Sequence, residues 1–482
     1  MLEEIPRPGI WKKLLIGAAL VIFASAGATA VAAFHEVDKV VDAFKDNPPL
    51  KLGNQLADTD PGQAQTIMIL GSDRRPKDNV EGGSGARSDT IMLVRLDPDK
   101  DATALMSLPR DLKVEIPGHG TDKINAAYDL GGPRLTVKTV KQLTGLSINH
   151  VINVSFGGFW RAVNAVGCVY GDIDRRYYND SAEFTYINVQ PGYQRLCGRK
   201  ALQYVRFRHE DNDLVRSARQ QDFLRQAKQQ VNASDLIARH DRLVKIFGRN
   251  TTTDEKLRSR SEVLRLLKLA VFSAGRPIQE IHFEGLIGPS YVEASDDRVK
   301  KLVDEFLQVE DTPGPRGELA NKQKKRKKKR PPNPEEAGLE DATTFGREVA
   351  VQAVEQGLGK RLPVLYPRLR TEGSVYAGPP RVYRIFANGR TYPAYRMVIN
   401  RAVGVGEYYG LQGTTWKDPP ILDDASETRE IGGRKYELHY DGDRLRLVAW
   451  RTDKGSYWVS NTLLQSLSEA QMMGIAKSVR PL

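Results

Sequence analysis

The stretch YVRFRHEDNDLVRSARQQ, residues 204–221, carries four arginines, Arg206, Arg208, Arg216 and Arg219, beside the acids Glu210, Asp211 and Asp213. A guanidinium presents its donors as a planar fork that matches phosphate oxygens two at a time, which a lysine ammonium cannot do. Read as a strand, YVRFR puts Val205 and Phe207 on one face and Arg206 and Arg208 on the other, about 6.6 Å apart, a spacing suited to two neighbouring phosphates. Beyond the turn, Asp213 is placed to cap a helix running to about Val231. Arg216 and Gln220 lie four apart on one face of that helix, near the end where free N–H groups favour an anion. Arg219 falls about 100° around from Gln220 and is expected to point away from it. Surface pairing of these arginines with the three acids is the plainer explanation. Against it, the forks come from two elements that meet at one turn.

Asp73 and Asp89 supply the complementary charge. Asp73 follows the short apolar run TIMIL (66–70), and Asp89 directly precedes TIMLVRL (90–96). Adjacent strands would bring those two ends together. Magnesium takes one or two protein carboxylates and fills its octahedron with phosphate oxygens and water, so two aspartates facing an arginine cluster describe a Mg2+–pyrophosphate site. Taken singly, Asp73 closes a turn and Asp89 caps a hairpin, roles that need no ligand. No residue stands out as a general base. Asp111 either accepts the proton of an attacking hydroxyl or orients Arg110, and orientation is favoured.

The elements that must position these groups follow from alternation and punctuation. TIMLVRL and ATALMSL (102–108) flank the turn DPDKD as a hairpin that breaks at Pro109-Arg110-Asp111. Leu135, Val137, Val140 and Leu143 recur near helical spacing between 123 and 145. VINVSF (151–156) and GCVYGDID (167–174) read as strands, and 234–247, 261–272 and 296–308 as amphipathic helices. Strands alternating with helices over 62–310 predict an α/β or α+β domain.

A chain of 482 residues has room for more than one core. Its formal net charge of +12 points to acidic partners: nucleic acid, anionic lipid or phosphate polymers. Location selects among them. Leu14 to Ala33 is free of charge, long enough to cross about 30 Å of hydrocarbon as a helix, and preceded by Arg7, Lys12 and Lys13. The positive-inside rule then puts residues 1–13 in the cytoplasm, a single transmembrane anchor at 14–34, and everything from a polar stalk at 35–61 onward outside the cytoplasm. Ala28-Thr29-Ala30 also fits a cleavage site, but the apolar run exceeds the usual signal-peptide core.

In an oxidising space Cys168 and Cys197, the two cysteines of the chain, are expected to form a disulfide, two buried thiols being the alternative. KQKKRKKKR (322–330) would be a nucleic-acid signal in the cytoplasm. Outside the cell, with no nucleic acid to meet, the basic and Pro-rich segment 311–346 reads as a solvated linker or a brush for anionic lipid heads and wall polymers. Residues 347–482 carry short strand-like runs (RVYRIFA, YRMVI, KYELHYD, RLRLVAW) and a closing helix with Ser466 and Glu469 at capping-box spacing, which predicts a smaller α+β domain. Tyr408, Tyr409 and Trp416 in it read as core or as a polymer-binding face.

Four motifs in order, TIMILGSDRR, ARSDTIMLVRLD, SLPRD with KINAAYDLGG, and YVRFRHEDNDLVRSARQQ, resemble the LytR-CpsA-Psr family over roughly 62–235, with the helical region to 310 completing the domain. The resemblance implies a mixed-sheet α/β/α catalytic domain outside the cell membrane, held by the N-terminal transmembrane helix. It implies a phosphotransferase that moves a glycopolymer from a polyprenyl-pyrophosphate carrier onto peptidoglycan, forming a phosphodiester bond. Carried over by motif, Asp73 and Asp89 hold Mg2+, and Arg87, Arg110, Lys123, Arg206, Arg208, Arg216 and Gln220 hold the pyrophosphate, with Arg110 and Asp111 as the catalytic positions. The lipid tail would lie in an apolar groove, for which the helix of Leu135, Val140 and Leu143 is the expected wall. Ser155 stands where the family often has an acid, and Cys197 where a polar residue is usual. The alternative is a non-catalytic membrane protein that uses the same arginines to recognise polyprenyl phosphate or an anionic polymer.

Overall fold

Alternating apolar residues at the start of the first unit set its centre. In β1 (Gln65–Ser72) and β2 (Ser88–Leu96), Met68, Leu70, Ile91 and Leu93 enter one core while Ile67, Ile69 and Val94 enter another on the opposite face, the period of two expected of strands buried on both sides. The computed structural model describes residues 37–60, 62–72, 88–100, 103–181, 186–207, 212–231, 239–274, 276, 278–283, 285–288, 290–308, 334–358, 361–402 and 407–482. Asp73, Arg87, Arg208, the apolar run 14–34 and the basic run 322–330 lie outside these, as does the side chain of Asp89. No helix among the described residues is long and apolar enough to cross a membrane.

β3 (Thr103–Leu108) completes a hairpin with β2, and β4 (Lys113–Ile116) and β5 (Gly120–Lys123) form a side hairpin. β6 (His150–Ser155) runs parallel to β1. β7 (Val169–Ile173) pairs with β10 (Gly192–Leu196), and β8 (Tyr177–Asn179) with β9 (Ile187–Val189), outside the main sheet. β11 (Thr251–Thr253) and β12 (Ile278–Ile281) close the edges of a mixed sheet of order β11-β6-β1-β2-β3-β12. One face is covered by α2 (Ala126–Thr144) and the Asp296–Leu307 helix, the other by the Arg260–Ala274 helix, giving an α/β/α sandwich. A helix over 37–45, α1, packs Val37 and Val41 on Val263 of the Arg260–Ala274 helix, and Leu50 and Leu52 enter the main core, so residues 37–52 belong to the folded unit rather than to a polar stalk.

Local chemistry changed several expected boundaries. Ser155 is the last residue of β6 and caps α3 (Phe156–Ala165) by accepting the Gly158 N–H at 3.2 Å, which is the role an acid would fill at this position. YVRFR is not a strand. Its first three residues end α4 (Gly198–Arg206), whose periodicity buries Ala201, Tyr204 and Val205, so Arg206 sits on a helix and not on a strand face. In α5 (Asp213–Gln230) the cap is Asn212, which accepts the Val215 N–H, leaving Asp213 as the first helical residue. Cys168 and Cys197 are bridged (S–S 2.09 Å), tying the turn after α3 to the start of α4.

The second unit begins ahead of residue 347, because Leu339–Asp341 pairs with Leu369–Thr371. Its body is a sheet of eight strands, and its last helix, Glu469–Ser478, carries a capping box on Ser468 and Gln471 rather than on Ser466 and Glu469. Tyr409 and Trp416 are buried, so they belong to the core rather than to a polymer-binding face, and the Tyr408 ring lies 5.2 Å from the Arg175 guanidinium. The two units meet along β7 and β10. Buried Asp172 accepts hydrogen bonds from Arg396 (3.2 and 3.3 Å) and Trp458 (3.1 Å), and Tyr193 packs against Trp416 and Trp458.

Candidate functional site

Arg110 directly follows the Pro109 break at the end of β3, and its side chain is held almost entirely out of solvent. Its Nε stands 3.4 Å from Asp111 Oδ1 and 3.9 Å from Asp213 Oδ1. Asp213 is the hub of the cluster. From the first turn of α5 it accepts the Asp111 backbone N–H at 3.2 Å and forms an ion pair with Arg216 one turn on. Lys123, the last residue of β5, places Nζ 3.2 Å from Asp111 Oδ1 and remains one-third exposed. Two carboxylates thus hold three cations at the N-terminal end of a helix, a set whose net positive charge suits an anion with several oxygens. The Tyr291 ring lies 5.7 Å from Lys113 Nζ and 5.9 Å from Lys123 Nζ, flanking the exposed side.

One turn further along α5, Gln220 donates to the Val205 carbonyl at 3.2 Å and lines a second feature, an apolar cavity of about 310 Å³. Its wall is built from Val154 of β6, Phe159, Ala162 and Val163 of α3, Leu202 and Val205 of α4, and Phe223 of α5, with Ile246 and Phe247 of the His240–Asn250 helix. Arg206 and Gln220 are the polar groups in this lining together with Thr90 and Thr251, and the Arg206 guanidinium lies 3.9 Å from the centre of the Phe156 ring. Gly71 and Thr90 also line the cavity, and a Cβ on Gly71 would come within 3.0 Å of Thr90 Cβ. At this end of the sheet Ser72 pairs with Ser88, so the end of β1 and the start of β2, where Asp89 sits, are adjacent.

The structure therefore brings Arg110, Asp111, Lys123 and Arg216 into one cluster, with Arg206 and Gln220 among the residues that line the apolar cavity. Two expectations fail. Leu135, Val137, Val140 and Leu143 of α2 pack into the main core and do not line the cavity, which lies on the opposite side of β1 and β6, against α3, α4 and α5. Arg219 does not turn away from Gln220: it is fully buried, its Nη1 donating to the carbonyls of Tyr204 (2.8 Å) and Phe207 (3.2 Å), on either side of the Val205 carbonyl that Gln220 reaches. Residues that sequence reasoning missed include Asp213 as hub, Tyr291 and Phe156. The Asp213–Arg216 spacing of three on one helix face was a usable signal for the first.

An apolar slot lined in part by a guanidinium, beside a cation cluster on an α/β sheet, has the chemistry to accept a lipid that carries phosphate. Residues 26–305 match the LytR_cpsA_psr family, and the chain belongs to that family. It is 31% identical over 294 residues to a polyisoprenyl-teichoic acid–peptidoglycan teichoic acid transferase, TagU, of Oceanobacillus iheyensis, a match covering 57% of this chain and 86% of that protein. It is likewise 31% identical over 251 residues to TagT of Bacillus subtilis, named as the same kind of transferase, covering 50% of this chain and 76% of the relative. Among solved structures, that of TagT with bound octaprenyl pyrophosphate lipid aligns with 55% of this chain and 99% of its own at 23% identity and a TM-score of 0.39.

Proposed function

We propose that this protein transfers a glycopolymer from a polyprenyl-pyrophosphate carrier to peptidoglycan, working from the outer face of the membrane to which residues 14–34 anchor it. The observation that carries the reading is the junction of two sites on α5: Gln220 opens onto the apolar cavity while Arg216, one turn away, belongs to the cation cluster. A lipid tail in the cavity would leave its pyrophosphate between Arg206 and the Arg110–Lys123–Arg216 set. The transferase names of the relatives support the same reading.

The chemistry asks little of covalent catalysis. An acceptor hydroxyl forms a new O–P bond at the phosphorus that carries the glycan, the bridging P–O bond breaks, and polyprenyl phosphate leaves, taking up the hydroxyl proton. A loose phosphoryl transition state is stabilised chiefly by positioning and by donors aimed at the charged oxygens. Arg110 and Arg216, both buried and fixed by Asp213, are pre-oriented for this role. Asp111 spends its carboxylate on Arg110 and Lys123, which favours the orienting role over that of a base. The neighbouring ends of β1 and β2 fit a carboxylate pair from Asp73 and Asp89, and Mg2+ held there would supply charge neutralisation at the pyrophosphate. Arg87 and Arg208 complete the proposed set.

The test is turnover of a short polyprenyl-pyrophosphate glycan with peptidoglycan fragments. Arg208→Lys keeps the charge but loses the fork, and a charged hydrogen bond of about 1.5–3 kcal/mol corresponds to a fall of roughly 10- to 100-fold. Binding of the lipid without turnover by the wild-type protein, with Mg2+ present, would leave recognition alone and sink the transferase reading.

A further inference from the structure

Beside the far end of the cavity lies a face that the transfer reaction does not use. Arg242, Lys245 and Arg249 project from one side of the His240–Asn250 helix at the i, i+3, i+7 spacing of a single stripe, and all three are exposed. With Trp160, Arg161 and Asn164 of α3 they line an open depression of about 430 Å³ in which no lining residue is acidic. Arg161 is steadied by Asn250 Oδ1 at 2.7 Å and lies 4.7 Å from the centre of the Trp160 ring. Ile246 lines both this depression and the apolar cavity, and Phe247 beside it is 39 % exposed, so the basic face and the mouth of the cavity share one helix.

The chain itself says what this face meets. Residue 37, the first described residue of α1, is three residues past the end of the apolar run at 34, so it lies within about 11 Å of the point where an anchored chain would leave the bilayer. Lys39 of α1 is 2.9 Å from Asp241, the neighbour of Arg242, and Ala43 packs on Gly248. The basic helix therefore runs alongside the first folded turns after the anchor. Charges held within a Debye length of about 8 Å of an anionic surface are attracted to it, and amphipathic Trp is at home among headgroups.

We propose that Trp160, Arg161, Arg242, Lys245 and Arg249 rest on the anionic phospholipid headgroups of the membrane, and so set the mouth of the lipid cavity against the bilayer from which its ligand comes. This rests on the reading of 14–34 as an anchor. The partner is a bilayer surface, not a soluble polymer.

The test reconstitutes the full chain in nanodiscs of neutral lipid, or of neutral lipid with about one-third anionic lipid, with a fluorophore at Asn164→Cys and a quencher on the headgroups. Each Lys or Arg at such a surface is worth roughly a fivefold shift in the docked ratio. Quenching should be at least about threefold stronger on anionic discs, and should be lost in the triple variant Arg242→Glu, Lys245→Glu, Arg249→Glu. Because charge reversal can disturb folding, the wild-type comparison at about 50 and about 500 mM salt gives the same answer without it, the higher salt abolishing the difference. Equal quenching on both discs, or quenching that persists in the triple variant, overturns the proposal while the anchor stands. A chain that does not co-purify with discs at all removes the anchor reading, and this proposal with it. Displacement by soluble glycerol-phosphate polymer without any response to anionic discs assigns the face to a polymer and also overturns it.

Discussion

Arg219→Ala tests the most consequential difference between spacing and structure, because helical geometry alone turns this arginine away from Gln220 and makes its loss cheap. In the fold its guanidinium is the bolt between α5 and the end of α4, holding the Tyr204 and Phe207 carbonyls beneath the Tyr177 ring. Each charge-assisted hydrogen bond contributes about 1.5–3 kcal/mol and the ring contact about 0.5–2 kcal/mol, partly offset by no longer burying a charge, so truncation should cost roughly 3–5 kcal/mol. The assay is urea unfolding followed by circular dichroism, where the loss appears as a lower midpoint at constant slope. Arg199→Ala, at an exposed position on α4, should stay within about 0.5 kcal/mol of wild type. Arg219→Lys should fall between them, since an ammonium reaches fewer carbonyls and stacks less well. Turnover of Arg219→Ala should drop in step with the folded fraction, because the carbonyls it holds flank Arg206. An Arg219→Ala midpoint equivalent to less than about 1 kcal/mol from wild type would refute the bolt and restore the expectation from spacing alone.

Asp213→Asn keeps the shape of the hub but loses its charge, so turnover should fall roughly 10- to 100-fold as Arg110 and Arg216 lose orientation; unchanged kinetics would remove Asp213 from the site. Replacing Cys168 and Cys197 by serine opens a loop of sequence separation 29 and should cost about 3–4 kcal/mol on the loop-entropy argument, read by denaturation of the variant beside the oxidised protein. Burial, then the neighbouring Asp441 and Asp222 carboxylates, push Glu280 up to about 8 against the pull of Arg225. Its folded pKa lies above the unfolded value, so the folded state binds the extra proton, and the associated stability is full below about 4.5 and lost as pH rises through 8. Buried His439, depressed to about 3 by burial and then by Arg446, contributes the opposite slope only below 6.5. Between pH 6.5 and 8 stability should therefore fall by about 1–2 kcal/mol, and Glu280→Gln should flatten that slope.

How much was legible depended on whether a residue's partner was local. TIMIL, TIMLVRL and ATALMSL carried their strand identity in their own alternation, and the hairpin followed from the turn between two of them. Arg216 and Gln220 were visible as a pair four apart on one helix face, and Arg110 and Lys123 through the ordered motifs. YVRFR misled because its alternation is equally the end of a helix, where Tyr204 and Val205 are buried and Arg206 turns over Phe156, an aromatic some fifty residues away. The cavity was placed on the wrong helix for the same reason. α2 and α3 both offer apolar stripes, and only the register of β6 against β1 decides which one faces α4 and α5. Asp213 has one partner three residues away and another 102 residues away, and the distant one gives it its role.

The contact of Asp172 and Tyr193 with Arg396, Trp416 and Trp458 bears on how the polypeptide could be divided. Residues 309–333 connect the two units in sequence, and across β7 and β10 the units share a salt bridge and tilted and edge-on ring contacts. A protease nick in that connection should give two fragments that still elute as one particle, and the halves should reassemble when produced as separate polypeptides. The C-terminal unit then travels as a fixed shoulder of the α/β unit rather than as an arm that swings free of it.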